Sequence, residues 1–400
     1  MDNSVEEETI IHGWRKRRDA TEKHEECMSR IPHSSSLYLP ECLVFNILLR
    51  LPAKSVGRFR CVSKLWLSIS TDPYFIVTHT RRTPKPLVCP SIPLKNLLRR
   101  NELFNTASFG FEKQGTDVPL SSCDGLVSFI SCFNSRGPPC WANNYVVNPL
   151  TGLRIDLPSP SADRYGKYSP MRELYYHRWT GQYRILNVNG KRAEVLSFGG
   201  TMNDYSWRLI NSEPPGHVWV CWKKCVLVIN DCLYWICETY SYGDRITVFD
   251  ILEEAFSCMD LPHDVIIGGK EYGLVDIDGK LGCWMASNNA IDAYQINVWV
   301  EVEGGDKWRS AYSLHLGDDE SRRLINRFSH YALIPFAFFS RGEFFFLVNG
   351  SVGMLYLLRW DLNSGNHSTQ LLSHQPMGVS VRILIHKETL IDMATITQNV

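Results

Sequence analysis

Long hydrophobic segments and an excess of charge of either sign are both missing from this 400-residue sequence. It contains no stretch of eighteen apolar residues, and its first residues lack the apolar core of a secretory signal. We therefore expect a soluble protein of the cytoplasm and/or nucleus, without membrane contact. The 42 basic and 42 acidic side chains balance, so the total charge indicates no class of partner.

Catalytic and cofactor motifs are missing as well. No Walker phosphate loop, dinucleotide fingerprint, HExxH or GxSxG motif occurs in the chain. Cys123 precedes Asp124-Gly125, a pair that indicates a turn before it indicates a nucleophile. Cys221 and Cys225 follow His217 at a spacing close to that of zinc ligands, but no second pair of ligands follows, which favours strand cysteines. We predict no enzyme, no cofactor and no metal.

The length and composition of the chain predict more than one domain. A chain of 400 residues exceeds one ordinary domain, and 44% hydrophobic residues are ample for a large core. The thirteen cysteines, without a secretory signal, are expected to be reduced thiols. Residues 1–35 are polar and include Glu6-Glu7-Glu8 and Arg15-Lys16-Arg17-Arg18, so we predict a disordered tail. The basic run is either a nuclear import signal or an ordinary solvated cluster.

A run of helical periodicity extends over residues 39–79. Its first part predicts a helix that Pro40 opens and Pro52 closes. Its second part predicts two further helices, with Ser55 and Ser63 as N-caps and Asp72-Pro73 as the stop. The apolar residues of the two stripes are Leu43, Val44, Ile47, Leu48, Leu51, Val56, Phe59, Val62, Leu65, Trp66 and Ile69. About forty residues bury too small a core to be stable alone, so we expect part of this apolar surface to be an interface.

This run resembles the F-box. The matching positions are Leu39-Pro40, Ile47-Leu48, Arg50-Leu51-Pro52, Lys54-Ser55, Arg58-Phe59-Arg60-Cys61-Val62, Ser63-Lys64, Trp66 and Asp72-Pro73. The resemblance implies three short helices that bind the Skp-type adaptor of an SCF (cullin-RING) ubiquitin ligase. It assigns the adaptor contact to Leu39, Pro40, Leu43, Ile47, Leu48, Leu51, Pro52, Val56, Cys61, Val62, Lys64 and Trp66. Cys42 and Asn46 depart from the pattern, because the family usually carries acidic residues there.

The charges are distributed unevenly along the chain. Residues 36–100 contain 11 basic and 2 acidic side chains, whereas residues 101–400 contain 25 and 32. A basic helical module suits an acidic protein partner, and the alternative is a patch for nucleic acid. The basic residues alternate with apolar helical positions and no nucleic-acid reader motif is present, which favours the protein partner.

The rest of the chain carries an internal repeat. Apolar strands end in a polar turn and restart at Asn148, Gly199, Asp250, Glu301 and Asp361, with spacings of 51, 51, 51 and 60 residues. Each of these hairpins follows another apolar strand. A period near fifty with three or four strands per unit predicts a kelch-like β-propeller, in preference to a β-sandwich. Five units are visible, and residues 103–113 with residues 379–385 are expected to complete a sixth blade.

This repeat region also resembles the F-box-associated domain of plant proteins. The matching elements are Cys123-Asp124-Gly125-Leu126, Asn148-Pro149, Trp207-Arg208, Leu233-Tyr234-Trp235, Phe249-Asp250, Leu261-Pro262, Asp278-Gly279-Lys280-Leu281 and Trp299. We therefore divide the chain into a tail at 1–35, an F-box at 36–82 and an all-β, propeller-like domain of about six blades at 83–400.

Together, the two resemblances imply a non-catalytic substrate-recognition subunit of a ubiquitin ligase, joined through the adaptor to a cullin. The alternatives are a binding protein that uses its F-box outside a ligase, and a propeller that recognises a glycan or a small molecule. We expect an unknown target protein to bind loops at one end of the propeller, such as residues 136–144, 240–245 and 287–294.

Overall fold

A computed structural model shows a short helical segment followed by a long region of β-sheets. The chain separates into two compact units, residues 1–48 and residues 49–400. The described residues are 39–80, 85–90, 116–133, 140–148, 154–160, 171–199, 205–215, 226–237, 244–268, 271–289, 293–302, 307–316, 333–340, 342–349, 354–374 and 381–386. The tail at 1–35, the triplet of His217, Cys221 and Cys225, and residues 103–113 lie outside them.

Four helices occupy the region where the sequence predicted three. They are α1 (Glu41–Arg50), α2 (Ala53–Phe59), α3 (Lys64–Thr71) and α4 (Pro73–Thr80). Asp72-Pro73 was expected to stop the helices, but it ends α3 and starts α4. The Asp72 carboxylate accepts hydrogen bonds from the backbone N–H of Tyr74 at 2.8 Å and of Phe75 at 3.1 Å. The proline-containing pair is therefore a helix start, as expected when proline occupies the first helical position.

The helix starts agree with the sequence in part. Pro40 lies one residue before α1, and its carbonyl accepts from the backbone N–H of Val44 at 3.1 Å. Ser63 caps α3, with its side chain accepting from the backbone N–H of Trp66 at 3.2 Å. Ser55 is not a cap, because α2 begins two residues earlier, directly after Pro52. The fixed φ of Pro52 favours an earlier start than the serine does.

The first and last strands of the β region pair with each other. Strand β1 (Lys85–Pro90) is antiparallel to β22 (Val381–His386), and the two form a separate two-stranded sheet. The predicted C-terminal strand is therefore present, and its partner among the described residues is β1. The segment 103–113, which the sequence assigned to this unit, lies outside the described residues.

Five antiparallel sheets of four strands lie between β1 and β22, each with its strands in chain order. The first sheet contains β2 (Thr116–Cys123), β3 (Leu126–Phe133), β4 (Cys140–Val147) and β5 (Arg154–Leu157). The second contains β6 (Met171–His177), β7 (Gln182–Asn189), β8 (Arg192–Phe198) and β9 (Trp207–Leu209). The third contains β10 (Leu227–Ile229), β11 (Cys232–Cys237), β12 (Arg245–Asp250) and β13 (Ala255–Asp260).

The fourth sheet contains β14 (Glu271–Ile277), β15 (Lys280–Asn289), β16 (Ala293–Glu301) and β17 (Trp308–Leu316). The fifth contains β18 (Leu333–Ser340), β19 (Glu343–Asn349), β20 (Met354–Asp361) and β21 (His367–His374). One short helix, α5 (His263–Gly268), lies between the third and fourth sheets, so the region is mostly rather than entirely β.

The repeat in the sequence corresponds to the last three strands of each sheet. All five predicted turn positions are the last residue of the third strand or the residue directly after it, and the preceding apolar strand is the second. The first strands were not predicted. In β6, Arg172, Glu173 and His177 are buried, so a polar sequence forms an interior strand. Strand β10 contains only three residues, which is too short for a pattern.

Tight turns connect the first and second strands of three sheets. Asp124 and Gly125 both have positive φ, 46° and 83°, as do Asp278 and Gly279, 52° and 81°. The third such pair is Asn230 and Asp231. Two successive positive φ values are those of the hairpin turn whose twist matches the flanking strands. Asp124-Gly125 is therefore a turn, as the sequence indicated.

Consecutive four-stranded sheets pack against each other through apolar side chains. Tyr175 of the second sheet contacts Phe249 of the third, with ring centroids 6.2 Å apart, and Trp284 of the fourth contacts Phe346 of the fifth at 5.6 Å. Apolar clusters also join the first sheet to the second and the third to the fourth. Sheets buried on both faces lose the alternating pattern, as in β7, whose six inner residues are all buried.

Three further observations concern the described residues alone. None of their helices is long and apolar enough to cross a membrane. Seven of their cysteines are free thiols, namely Cys42, Cys61, Cys123, Cys232, Cys237, Cys258 and Cys283. They contain no group of three or more His, Cys, Asp or Glu side chains that could hold a metal ion.

Candidate docking surface

Helix α1 has a buried face and an exposed apolar face. Val44 and Leu48 are 1% and 0% exposed, whereas Leu43 and Ile47 are 48% and 41% exposed. Leu39, which precedes the helix, is 47% exposed. Residues four apart lie on one side of a helix, so Leu43 and Ile47 form an apolar stripe. We name Leu39, Leu43 and Ile47 together the first patch. The sequence had placed the buried and exposed leucines on one stripe.

Two of the residues predicted to contact the adaptor lie in the interior. Leu48 and Val56 are both 0% exposed, so neither can contact a partner while the helices stay folded. The structure contradicts their assignment to the contact, and we assign them to the core. Their apolar character fitted both roles, and sequence periodicity alone cannot separate the two.

Pro40, which precedes α1, is exposed. The other predicted residues follow α1 in the chain and form what we name the second patch. Pro52, Cys61, Val62 and Lys64 are exposed, and Leu51 and Trp66 are half-buried. Val62, at 58%, is the most exposed large apolar residue among the described side chains of the helices and their connections. The Trp66 indole meets the Phe59 ring edge-on at a centroid distance of 5.3 Å, which fixes its orientation.

Two polar side chains hold the helices after α1 together. Arg60 donates from Nη2 to the carbonyl of Ser70 at 3.1 Å, in the last turn of α3. A cation there satisfies a carbonyl that has no partner in the helix and complements the helix dipole. Buried His79 of α4 forms a hydrogen bond through Nε2 with the carbonyl of Leu51, 2.7 Å away. Neither contact was predicted, because both join residues distant in sequence.

Two positions depart from the F-box pattern in a way that the structure makes explicit. Asn46 donates from Nδ2 to the carbonyl of Cys42 at 2.8 Å. Its amide is thus bonded to the backbone of its own helix, and Cys42 is an exposed thiol. Leu67 and Tyr74, which are 44% and 47% exposed, were not predicted as surface residues of this region.

A buried arginine joins the first and second sheets. Arg172 of β6 donates from Nε to the side-chain oxygen of Asn187 at 3.0 Å and also bonds the side-chain oxygen of Asn144. Burial lowers the pKa of Arg172 to about 9, and the carboxylate of Glu194 opposes this effect. The acceptors of the cation are neutral amides on two sheets, so the cluster fixes the packing of those sheets.

The three loops that the sequence favoured for target binding are equivalent in topology. Each connects the second and third strands of its sheet, in the first, third and fourth sheets. Residues 136–139, 240–243 and 290–292 of these loops lie outside the described residues. Their role in target binding stays a prediction.

Two family matches cover most of the chain. Residues 36–78 match the family described as F-box domain, and residues 82–377 match the family described as F-box associated beta propeller domain. The Arabidopsis thaliana protein At1g47765 is 28% identical over 368 residues, which cover 83% of this chain and 84% of that protein. F-box protein At5g65850 of the same organism is 29% identical over 284 residues, which cover 66% and 68%.

Two solved structures share a distant resemblance with this chain. TolB from Acinetobacter baumannii aligns with a TM-score of 0.37 and 12% identity, over 67% of this chain and 57% of that one. The SapL1 lectin in complex with alpha methyl fucoside aligns with a TM-score of 0.38 and 8% identity, over 69% and 90%. At these scores neither resemblance bears on the activity of this chain.

Proposed function

This chain belongs to the family of F-box proteins with an F-box associated beta propeller domain, and we propose that it is the substrate-recognition subunit of an SCF-type (cullin-RING) ubiquitin ligase. F-box domains generally bind Skp-type adaptors, and members of this family are typically non-catalytic. In this proposal the F-box docks the adaptor, the adaptor connects to a cullin, and the β region holds a target protein.

The exposed stripe of the first patch is the observation that carries the proposal. Leu39, Leu43 and Ile47 are each more than two fifths exposed, beside a face of α1 that is fully buried. Full burial of one large apolar side chain against a partner gains about 1.5–3 kcal/mol of free energy. The three exposed side chains do not have this gain in the free chain. A helix with such an exposed face suits an apolar groove on a partner.

The charge of residues 36–100, the segment that contains the four helices, supports an acidic partner. Residues 36–100 carry nine more basic than acidic side chains, by the counts given above. Lys64 and Arg58 are exposed, so they can approach carboxylates of the adaptor without being buried. Such rim charges increase the rate of association more than the affinity.

For the β region we propose a closed, kelch-like propeller of six blades. The sequential packing of the five four-stranded sheets supports it, and so does the pairing of β1 with β22, which brings the two ends of the region together. We keep the division into a tail at 1–35, an F-box at 36–82 and a propeller at 83–400. We also propose that the protein acts in the cytoplasm and/or the nucleus.

The proposed role requires no chemistry from this chain. A bound target is held near a ubiquitin-loaded conjugating enzyme, which raises the effective concentration of target lysines. The reacting groups belong to the conjugating enzyme and the target.

The test is adaptor binding by a variant of the first patch. In the full chain, Leu43→Ala with Ile47→Ala should reduce adaptor co-purification by about thirtyfold or more, since truncation of a single anchor already costs about 2 kcal/mol. Both side chains are exposed, so the thermal unfolding temperature should change little. Leu67→Ala, which truncates an equally exposed leucine outside the predicted contact, is the matched control.

The outcomes separate the proposal from its alternatives. Equal adaptor binding by the double variant and the control would show that the first patch is not the contact. Adaptor binding by the unmodified chain without recruitment of a cullin would favour an F-box protein that acts outside a ligase. Binding of the adaptor together with recruitment of a cullin supports the ligase role.

A further inference from the structure

One end of the β-sheets presents the turns of several sheets side by side. In an antiparallel sheet with strands in chain order, the first turn and the third turn lie at the same end, which we name the turn end. Arg178, in the first turn of the second sheet, pairs with Asp231 of the third sheet at 3.1 Å. Asn230 donates from Nδ2 to the carbonyl of Gly279 in the fourth sheet at 3.3 Å. These contacts join the first turns of three sheets.

An exposed tryptophan lies on this end. Trp179, in the turn between β6 and β7, is 61% exposed, more than any other large apolar residue described. Tyr176, two residues after the middle of β6, is 39% exposed and packs on Tyr183 at a ring-centroid distance of 5.1 Å. A single exposed apolar residue needs no explanation, so the argument depends on how this one is held.

Hydrogen bonds within the turn hold Trp179 in place. The backbone N–H of Gly181 donates to the carbonyl of His177 at 3.0 Å. The backbone N–H of Thr180 donates to Nδ1 of His177 at 3.3 Å, and its hydroxyl lies 2.9 Å from the same nitrogen. Burial, and then the neighbouring Arg184, lower the pKa of His177. The imidazole is therefore neutral near pH 7 and free to accept at Nδ1.

Ion pairs then attach the turn to the third sheet. Arg184 donates from Nη2 to the Thr180 hydroxyl at 3.3 Å and from Nη1 to Glu254 at 2.7 Å. Glu254, in the last turn of the third sheet, also accepts from Nη1 of Arg208 at 2.6 Å. With the Arg178–Asp231 pair, the hairpin is tied to its neighbour at two points. An aromatic side chain on a backbone fixed in this way binds with little loss of entropy.

The turn end is acidic. Its described residues, counted as the first and third turns with one strand residue on each side, carry nine carboxylates and four basic side chains. The carboxylates are Asp124, Asp231, Asp250, Glu253, Glu254, Asp278, Glu301, Glu343 and Asp361, and the basic residues are Arg154, Arg178, Lys280 and Lys307. Three arginines reach in from the strands, Arg184, Arg208 and Arg359. With these three arginines included, the nine carboxylates still outnumber the basic side chains.

We infer that the turn end, centred on Trp179, is the target-docking surface and that its ligand is a basic peptide segment of the target, with a lysine or arginine against the Trp179 indole. The inference rests on the proposed function, because it assumes that the β region holds a target. A cation is attracted electrostatically to the face of an indole, and tryptophan is the best aromatic partner for it. The carboxylates next to the hairpin, Asp231 and Glu254, are paired with arginines, so the added attraction comes from the excess of carboxylates over the whole turn end, and salt weakens it.

This location differs from the one that the sequence favoured. The loops at 136–144, 240–245 and 287–294 connect second and third strands, so in their own sheets they lie at the opposite end. In the second sheet, the described turn at that opposite end contains Gly190 and exposed Lys191. A basic turn there suits a basic peptide less well than the turn end does.

The probe is a random peptide library displayed on phage, selected against the full chain in complex with its adaptor. We expect the selected peptides to be enriched in lysine and arginine and to bind more weakly as the salt concentration rises. Synthetic copies should lose about thirtyfold in affinity for the Trp179→Ala variant, measured by fluorescence anisotropy. Trp179→Phe should retain most of the affinity. Lys191→Ala, at the opposite end of the same sheet, should bind them as well as the unmodified chain does.

The outcomes distinguish this inference from the proposed function. Selection of no peptide, or of acidic peptides, overturns the inference, and so does a loss of binding in Lys191→Ala with none in Trp179→Ala. In each of these cases adaptor binding can remain intact, and then only the docking surface is wrong. If the unmodified chain formed no complex with the adaptor, the proposed function would instead be refuted.

Discussion

The indole nitrogen of Trp308 donates a hydrogen bond to the backbone carbonyl of Asp260, 2.9 Å away. Trp308 is the first residue of the last strand in the fourth sheet, and Asp260 is the final residue of the last strand in the third. Trp207 makes the equivalent bond from the second sheet to the carbonyl of Pro158, directly after the first sheet, at 2.8 Å. The same residue type thus joins the outer strands of two pairs of consecutive sheets.

Replacement of Trp308 should lower stability through this bond. Trp308→Phe keeps an aromatic ring but removes the donor, and we expect a loss of about 0.5–1.5 kcal/mol in the free energy of unfolding. Urea denaturation of the full chain measures it. Trp179→Phe serves as the control, because that side chain is exposed at the turn end. Equal stability of the two variants would show that the bond contributes nothing.

A glycine of β15 has no room for a methyl group. A Cβ added at Gly282 would lie 2.7 Å from Cδ1 of Ile277 and 3.0 Å from the backbone oxygen of Val275. Gly282→Ala should therefore cost about 1–3 kcal/mol, since the backbone oxygen cannot move aside easily. Thermal unfolding should show a lower midpoint.

The control for this variant is the same change where space is open. A Cβ at Gly57, in helix α2, meets nothing within 4 Å. Gly57→Ala should be neutral or stabilising by up to about 1 kcal/mol, because alanine favours the helix. If both alanine variants unfolded at the same temperature, the packing around Gly282 would be looser than the structure shows.

The cap at Asp72 should control the stability of α4. Asp72→Ala removes the acceptor for the N–H groups of Tyr74 and Phe75, which typically costs about 1 kcal/mol. Amide hydrogen exchange in α4 should accelerate by about fivefold. Asp72→Asn keeps a capping oxygen and should exchange at nearly the original rate. Fast exchange in both variants would mean that the negative charge of Asp72, and not its capping hydrogen bonds, stabilises α4.

The lowered pKa of His177 predicts a dependence of stability on pH. The ordinary pKa is 6.5, and burial lowers it in the folded state. The unfolded chain therefore takes up a proton first, so the stability is complete above pH 6.5 and falls as the pH drops toward the folded-state pKa. The slope cannot exceed about 1.4 kcal/mol per pH unit.

The variant His177→Gln tests this dependence, because glutamine does not titrate. Its free energy of unfolding should fall less between about pH 7 and about pH 5 than that of the unmodified chain. Urea denaturation at both pH values gives the difference. An unchanged pH dependence in His177→Gln would mean that other groups cause it.

Helix and hairpin signals predicted most of the local structure. The turn at Asp124-Gly125, the N-cap at Ser63 and the strand after Gly125 follow from backbone preferences that act within a few residues. The first strand of each sheet escaped prediction. The charged residues Arg172 and Glu173 give β6 the sequence of a solvent-exposed strand, although both are buried. The burial of Arg172 depends on a hydrogen bond to Asn144 in the neighbouring sheet.

The candidate site was predicted less completely than the fold. Leu39, Leu43 and Ile47 are exposed apolar residues, as an adaptor contact requires, but Leu48 and Val56 lie in the core. All five have the same apolar character, and their helical spacing fits either a buried or an exposed face. The sequence could select the helices that carry the site but could not assign each leucine to one face.

The sequence by itself determined the order of the modules, the helical segments and the hairpin turns. These depend on interactions between residues close in the chain, and their chemistry is visible in the order of residues. Tertiary structure alone decided which face of α1 is exposed, which carbonyl Trp308 bonds and how Glu254 holds the turn that carries Trp179. These contacts join residues tens of positions apart, and they exist only after the sheets have packed.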